Sequence, residues 1–143
     1  MKINIIYESY FDNGKKIAED LLKILESKNA DVELFSVKDR APENIRQADL
    51  YIFSAPTRKF ALPPGMGNFL DAFTVSSKNA KYALMTTYLD PRTIALKKMT
   101  EKLDKKGIKK AVEDLKIRVR GLKGPLIKDY VDRLRPFAEA LLK

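Results

Sequence analysis

The chain contains no cysteine and no histidine. Together these absences exclude disulfides, thiol nucleophiles, thiolate zinc sites, histidine-ligated metals and every triad or proton relay built on imidazole. A metal site made of carboxylates alone stays open. A cysteine-free chain also fits a reducing compartment. Long apolar runs are missing too. The opening run, Ile3-Asn4-Ile5-Ile6, is too short for a signal peptide. No later stretch approaches the ~20 apolar residues of a membrane span. The expectation is a soluble, cytoplasmic protein with no membrane partner.

What is present suits one globular domain over residues 1–143. Hydrophobic residues make up 45% of the chain and charged residues 33%, a balance that folds rather than staying disordered. A chain of this length buries about 70% of its unfolded surface. The net charge is +9, and it is uneven. Residues 1–71 carry 10 Lys/Arg against 11 Asp/Glu, whereas residues 72–143 carry 18 against 8. Lys97, Lys98, Lys102, Lys105, Lys106, Lys109 and Lys110 form the centre of the basic half. Such a half attracts polyanions, acidic proteins or phosphorylated ligands, unless it is only a solvated surface. The lysines are scattered, with no basic run interleaved with aromatics, so nucleic-acid binding is not expected.

Hydrophobic spacing divides the chain into alternating elements. Ile3–Tyr7 and Leu50–Phe53 are short, mostly apolar runs, as expected of central strands buried on both faces. Asp31–Val37 alternates polar with apolar, like a less buried strand. Lys81–Thr87 and Leu115–Val119 complete the strand set. Ile17, Ala18, Leu21, Leu22 and Leu25 recur at helical spacing, after Asp12 or Asn13 as N-cap. Pro42 opens a short turn through Gln47. Pro56, Pro63, Pro64, Gly65 and Gly67 mark a structured loop, followed by a helix through Met66, Phe69, Leu70 and Phe73. Ile94, Leu96, Met99 and Leu103 form another amphipathic helix. The last helix is expected to open at Pro125, with Pro136 kinking or interrupting it.

Strands that alternate with helices imply a parallel sheet with right-handed crossovers and helices on both faces. Ligands in such sheets bind beyond the carboxyl ends of the strands, at the topological switch point. The loops of interest are therefore Glu8–Gly14, Ser54–Gly67 and Thr87–Arg92.

Those loops resemble the flavodoxin-like family, small proteins that bind FMN and carry electrons. The resemblance spans nearly the whole chain. It rests on Tyr7-Glu8-Ser9 leading to Asn13 and Lys16-Ile17-Ala18-Glu19, on Ser54-Ala55-Pro56-Thr57, on Asn68-Phe69-Leu70-Asp71, and on Arg120-Gly121-Leu122-Lys123-Gly124-Pro125-Leu126 before a final helix. It implies an α/β fold, a three-layer α-β-α sandwich around a five-stranded parallel sheet in order 2-1-3-4-5, with Ile5 and Ile52 on adjacent strands. It also implies FMN held by Ser9, Tyr10, Phe11, Asn13 and Gly14 in the first loop. Ser54, Ala55, Pro56, Thr57, Arg58 and Phe60 would hold it in the second, and Thr87 and Tyr88 in the third.

Three positions depart from the family's Ser/Thr-x-Thr-Gly-x-Thr phosphate loop. Phe11 and Gly14 stand where hydroxyls are expected, and Asp12 stands where glycine is expected. The carboxylate of Asp12 is expected to cap the helix and occupy the phosphate position. Either the loop then rearranges to admit FMN, with Lys15 or Lys59 offsetting the charge, or the phosphate site is lost. Phe60 either stacks on the flavin ring or packs on Leu62 and Met66. The third loop has no glycine, and Tyr88 either stacks on the ring or lies at the surface.

Other readings lack their motifs. A response-regulator receiver needs an acidic pair after the first strand and an aspartate after the third, where Glu8 stands alone and Ser54 replaces the aspartate. The phosphate-binding P-loop and the dinucleotide G-x-G-x-x-G are both absent, and no carboxylate pair marks a catalytic loop. The expected function is an FMN-dependent electron carrier or oxidoreductase, with an acidic partner such as an iron–sulfur carrier or a reductase. The alternative is a flavodoxin-like domain that has lost FMN and serves as an interaction module.

Overall fold

The computed structural model describes residues 1–57, 61–89, 92, 94–121 and 124–143. The strands are β1 (Lys2–Tyr7), β2 (Asp31–Ser36), β3 (Leu50–Ser54), β4 (Lys81–Tyr88), β5 (Lys109–Lys110) and β6 (Leu115–Arg118). The helices are α1 (Asn13–Ser27), α2 (Pro64–Ala72), α3 (Ile94–Asp104) and α4 (Tyr130–Leu141), with one 3-10 turn at Pro42–Asn44.

The sheet is parallel, in order β2-β1-β3-β4-β5, with β6 also paired to β4. This is the expected sandwich, with Ile5 and Ile52 opposed in register. All five residues of β3 are buried, because the strand is covered on both faces. On one side Ile3, Ile5, Leu50 and Ile52 pack beneath α1 and α4. On the other, Ile6, Tyr51 and Phe53 pack beneath α2 and α3, where Phe73 meets Tyr51 and Phe53 edge-on. β2 forms an edge, and only Phe35 of its six residues is buried. Its lower end is tied in by Arg46, which bonds Asn4 Oδ1 and the Asp31 carbonyl and pairs with Asp31 and Glu33.

The fifth strand departs from expectation. It is split into β5, opposite Lys81–Tyr82, and β6, opposite Met85–Tyr88. Four residues of the edge (111–114) face two residues of β4 (83–84), so the pairing is interrupted between the segments. The last helix also differs, beginning at Tyr130 rather than Pro125. The backbone of 125–127 pairs instead with the chain after β6, through Arg120 N–H to the Pro125 carbonyl and Ile127 N–H to the Arg118 carbonyl. Pro136 does not interrupt α4. It lies on the exposed face, where water can satisfy the carbonyl its ring leaves without a donor. α2 begins at Pro64, so Pro64, Gly65 and Gly67 belong to a helix rather than to the preceding loop.

Among the described residues no helix is long and apolar enough to cross a membrane.

Candidate functional site

Beyond the carboxyl ends of β1, β3 and β4 the described residues enclose a cleft with about 450 Å³ of empty space, open to solvent. Ser9, Tyr10, Phe11, Asn13 and Gly14 line it from the first loop and the start of α1. Pro56 and Thr57 come from the segment after β3, and Thr87, Tyr88, Leu89 and Val119 close the far side. The cleft lies where the chain leaves β1 in one direction to β2 and β3 leaves in the other, the switch point of the sheet.

The first loop is held from below by Glu8. Its backbone N–H extends the β1–β3 ladder to the Ser54 carbonyl at 2.9 Å. Its carboxylate is 4% exposed. Oε1 accepts the Met66 N–H at 2.5 Å, and Oε2 accepts the Tyr10 hydroxyl at 3.1 Å. Glu8 therefore supplies, from another element, the N-terminal cap that α2 lacks in its own sequence, where Pro63 precedes the helix. A Cβ at Gly65 would lie 2.7 Å from Glu8 Oε2, so only glycine lets the carboxylate come this close.

Asp12 does not cap α1. Its backbone sits at φ 63°, ψ 0°, in the left-handed region, and its side chain makes no capping hydrogen bond. An N-cap side chain normally needs extended backbone to reach the amides of the first turn, and the loop imposes the other conformation. Glycine is expected at this position because it enters that region without strain, and aspartate is among the few residues that also tolerate it. The reading of Asp12 as a built-in anion in the phosphate position is thereby corrected. Among the described residues no side chain caps the first turn of α1, and Lys16 N–H makes the first helical bond, to the Asp12 carbonyl at 2.9 Å. Asp12 itself is exposed.

Gly14 is buried, yet a Cβ there would meet Ser9 Oγ and the Glu8 carbonyl only at 3.5–3.6 Å. Its backbone needs no glycine, so a hydroxyl side chain fits where this chain omits one. Gly124 is the opposite case. At φ 100° a Cβ would lie 2.7 Å from Asn13 Oδ1, so the segment before α4 presses its backbone against the Asn13 side chain.

The second and third loops are pinned together. Ala55 N–H and Thr57 N–H donate to the Met85 and Thr87 carbonyls at 3.2 and 3.1 Å. The Thr86 hydroxyl donates to the Ala55 carbonyl at 2.7 Å and lies 3.3 Å from the Thr57 hydroxyl. This extends the β3–β4 pairing upward and fixes Thr57 and Thr87 at the cleft wall.

Of the expected site residues, Ser9, Tyr10, Phe11, Asn13, Gly14, Pro56, Thr57, Thr87 and Tyr88 converge on the cleft. Ser54 and Ala55 do not line it. Both are 1% exposed, because the strand-like pairing continues past β3 and buries them. Ser54 Oγ has no hydrogen-bond partner among the described residues. Arg58 and Phe60 lie outside the described residues, as does Lys59. Leu89 and Val119 also line the cleft and were missed. Val119 was expected only as the end of an outer strand, and its N–H donates to the Tyr88 carbonyl at 2.9 Å. No sequence signal singled out Leu89 within its loop.

No known family profile matches the sequence, and no curated protein matches it at a significant level. Solved structures do match. Oxidised flavodoxin 2 from Bacillus cereus superposes with a TM-score of 0.84 at 22% identity, covering 99% of this chain and 98% of that one. The chain has the flavodoxin-like fold. A flavodoxin from the domain Archaea gives 0.79 at 24% identity, covering 99% and 97%. The rubredoxin oxygen:oxidoreductase of Desulfovibrio gigas gives 0.81 at 19% identity over 35% of that longer chain.

Within this flavodoxin-like fold the cleft presents groups that suit a phosphate ester carrying an aromatic ring. It offers hydroxyls at Ser9, Thr57 and Thr87, the Asn13 amide, a helix N-terminus without a side-chain cap, and the rings of Tyr10, Phe11 and Tyr88 at the rim. Among the described residues no group of three or more carboxylates is placed to hold a metal ion.

Proposed function

We propose that the chain binds FMN in this cleft and works in electron transfer. The observation that carries the reading is the convergence of nine residues, expected from three separate loops, on one cleft at the switch point of the sheet. When bound, the flavin supplies the redox chemistry, accepting and releasing electrons. The residues of this chain bind, orient and tune it. The uncapped first turn of α1 and the Ser9 hydroxyl receive the phosphate. Asn13, braced by Gly124, fixes the loop around it. Thr57 and Thr87, pinned by the β3–β4 pairing, hold the polar chain. Tyr10, Phe11, Tyr88 and Leu89 flank the ring and keep water from its faces. The Asp12 carboxylate opposes the phosphate dianion and makes FMN binding weaker than a hydroxyl-rich loop would allow.

Titration of the apo chain with FMN, followed by quenching of flavin fluorescence, tests the reading. Saturation at one flavin per chain is expected. A second reading, an interaction module without flavin, draws on the same Asp12 and on Phe11 and Gly14 in place of hydroxyls. It predicts no quenching by FMN or by riboflavin, and that result would replace the flavin reading.

A further inference from the structure

Among the described residues, four of the five exposed large hydrophobic side chains gather at the carboxyl edge of the sheet. Tyr10, Phe11 and Leu89 are 41%, 37% and 45% exposed on the rim of the cleft. Ile94, 37% exposed, opens α3 just beyond, in a shallow groove beside Pro63, Pro64 and Lys98. Ile94 was expected in the core, but α3 turns Ala95, Leu96, Met99 and Leu103 inward instead. A bound flavin would cover the cleft, but it would not cover Ile94 or its groove.

The flank of this rim carries one sign of charge. Residues 94–120 hold 10 Lys/Arg and 4 Asp/Glu. In β6 and just after it, Leu115, Ile117 and Val119 pack in the core beneath α1 and α4. The alternation of a strand therefore turns Lys116, Arg118 and Arg120 to the opposite side, the side of α3, where all three are exposed. Arg118 stands in register with Tyr88 of the cleft wall. Lys97 and Lys98 on α3, and Lys105 just after it, are exposed as well. Three of the four acids in this stretch are engaged: Glu101 pairs with Lys98, Asp114 with Lys110, and Asp104 accepts the Tyr82 hydroxyl, while Glu113 is exposed.

An apolar centre bordered by a charged flank is the anatomy of a transient docking site, in which buried apolar contact holds and charge steers. We propose that the exposed Leu89 and Ile94, with the basic flank of α3 and β6, dock an acidic protein whose own contact area has a small apolar centre ringed by carboxylates. Its location rests on the flavin reading, because electrons leave or enter through the cleft rim. Charge complementarity selects the occupant. The ion pairs interspersed among the lysines, and the absence of aromatics along the basic flank, favour discrete carboxylates over a continuous phosphate backbone.

The test uses the full chain and an acidic [2Fe–2S] ferredoxin as the probe, with binding measured by calorimetry at about 20 mM and about 500 mM salt. Two variants accompany the wild type: the triple Lys97→Glu/Lys105→Glu/Arg118→Glu, and Ile94→Ser. The triple should weaken binding at least about tenfold at low salt, shrinking below about twofold at high salt. Ile94→Ser should weaken it about threefold to tenfold at both salts, because an apolar contact is not screened. FMN titration of both variants should match the wild type. Wild-type binding that responds to neither salt nor charge reversal overturns the proposal, and so does displacement of the ferredoxin by a single-stranded oligonucleotide. Flavin binding without ferredoxin binding sinks the docking site alone, whereas ferredoxin binding without flavin binding sinks the flavin reading alone.

Discussion

Truncating Glu8 to alanine removes the cap of α2 and the anchor of Tyr10 at once. The Met66 N–H, buried and bonded at 2.5 Å, then has no acceptor. The cap and the amide are one contact, and leaving that buried amide unpaired costs about 1–3 kcal/mol, or a fall in Tm of about 3–10 °C for a chain of this size. Glu8→Gln keeps a carbonyl oxygen for Met66 and should cost less than about 1 kcal/mol. Gly65→Ala attacks the same contact from the other side, with its Cβ placed 2.7 Å from Oε2. It should destabilise the wild type even though alanine is the better helix former by about 1 kcal/mol. In the Glu8→Ala background the clash is gone, so Gly65→Ala should become neutral or stabilising. Urea unfolding followed by circular dichroism across the four-member cycle reads the coupling. If Gly65→Ala costs the same in both backgrounds, Glu8 is not what makes glycine necessary there, and the capping account is wrong.

Three further outcomes are expected. Asp12→Asn keeps a residue that tolerates the left-handed backbone and removes the charge. FMN should bind up to about fivefold tighter, the equivalent of about 1 kcal/mol for a charge repulsion screened by water, with riboflavin unchanged; equal gains for both ligands would refute the repulsion. Gly14→Ser adds a Cβ at ordinary contact distance from Ser9, and its hydroxyl should tighten FMN with no loss of Tm, whereas a drop in Tm would show that the space is not there. Burial and the hydrogen bond to Asp20 raise the Tyr130 hydroxyl to about 12. A phenol raised on folding contributes stability that is complete below pH 10 and fades as the pH climbs towards 12. Tyr130→Phe should flatten that part of the stability profile measured by urea unfolding, and an unchanged alkaline slope would refute the assignment.

The sequence by itself determined the layers, the strand order and most of the cleft. Apolar runs such as Ile3–Ile6 and Leu50–Phe53 have one stable home, a strand covered on both faces, and the helical stripes between them dictate the crossovers. Once the order is set, the loops after β1, β3 and β4 must meet at the switch point, and so Ser9, Thr57 and Thr87 were legible as neighbours. Tertiary structure decided what depends on a partner distant in sequence. Glu8 looked like a lone acid, because its amide donor lies 58 residues away at Met66. Asp12 looked like a helix cap, because residue type does not report the backbone angle that the loop imposes on it. Pro125 looked like a helix start, but the edge of β6 offered its backbone hydrogen bonds first. Ser54 and Ala55 looked like site residues, but pairing with β4 runs on past the end of β3 and buries them. Local pattern fixes which face of an element is apolar, whereas each of these outcomes turned on which distant backbone or side chain came within hydrogen-bonding distance.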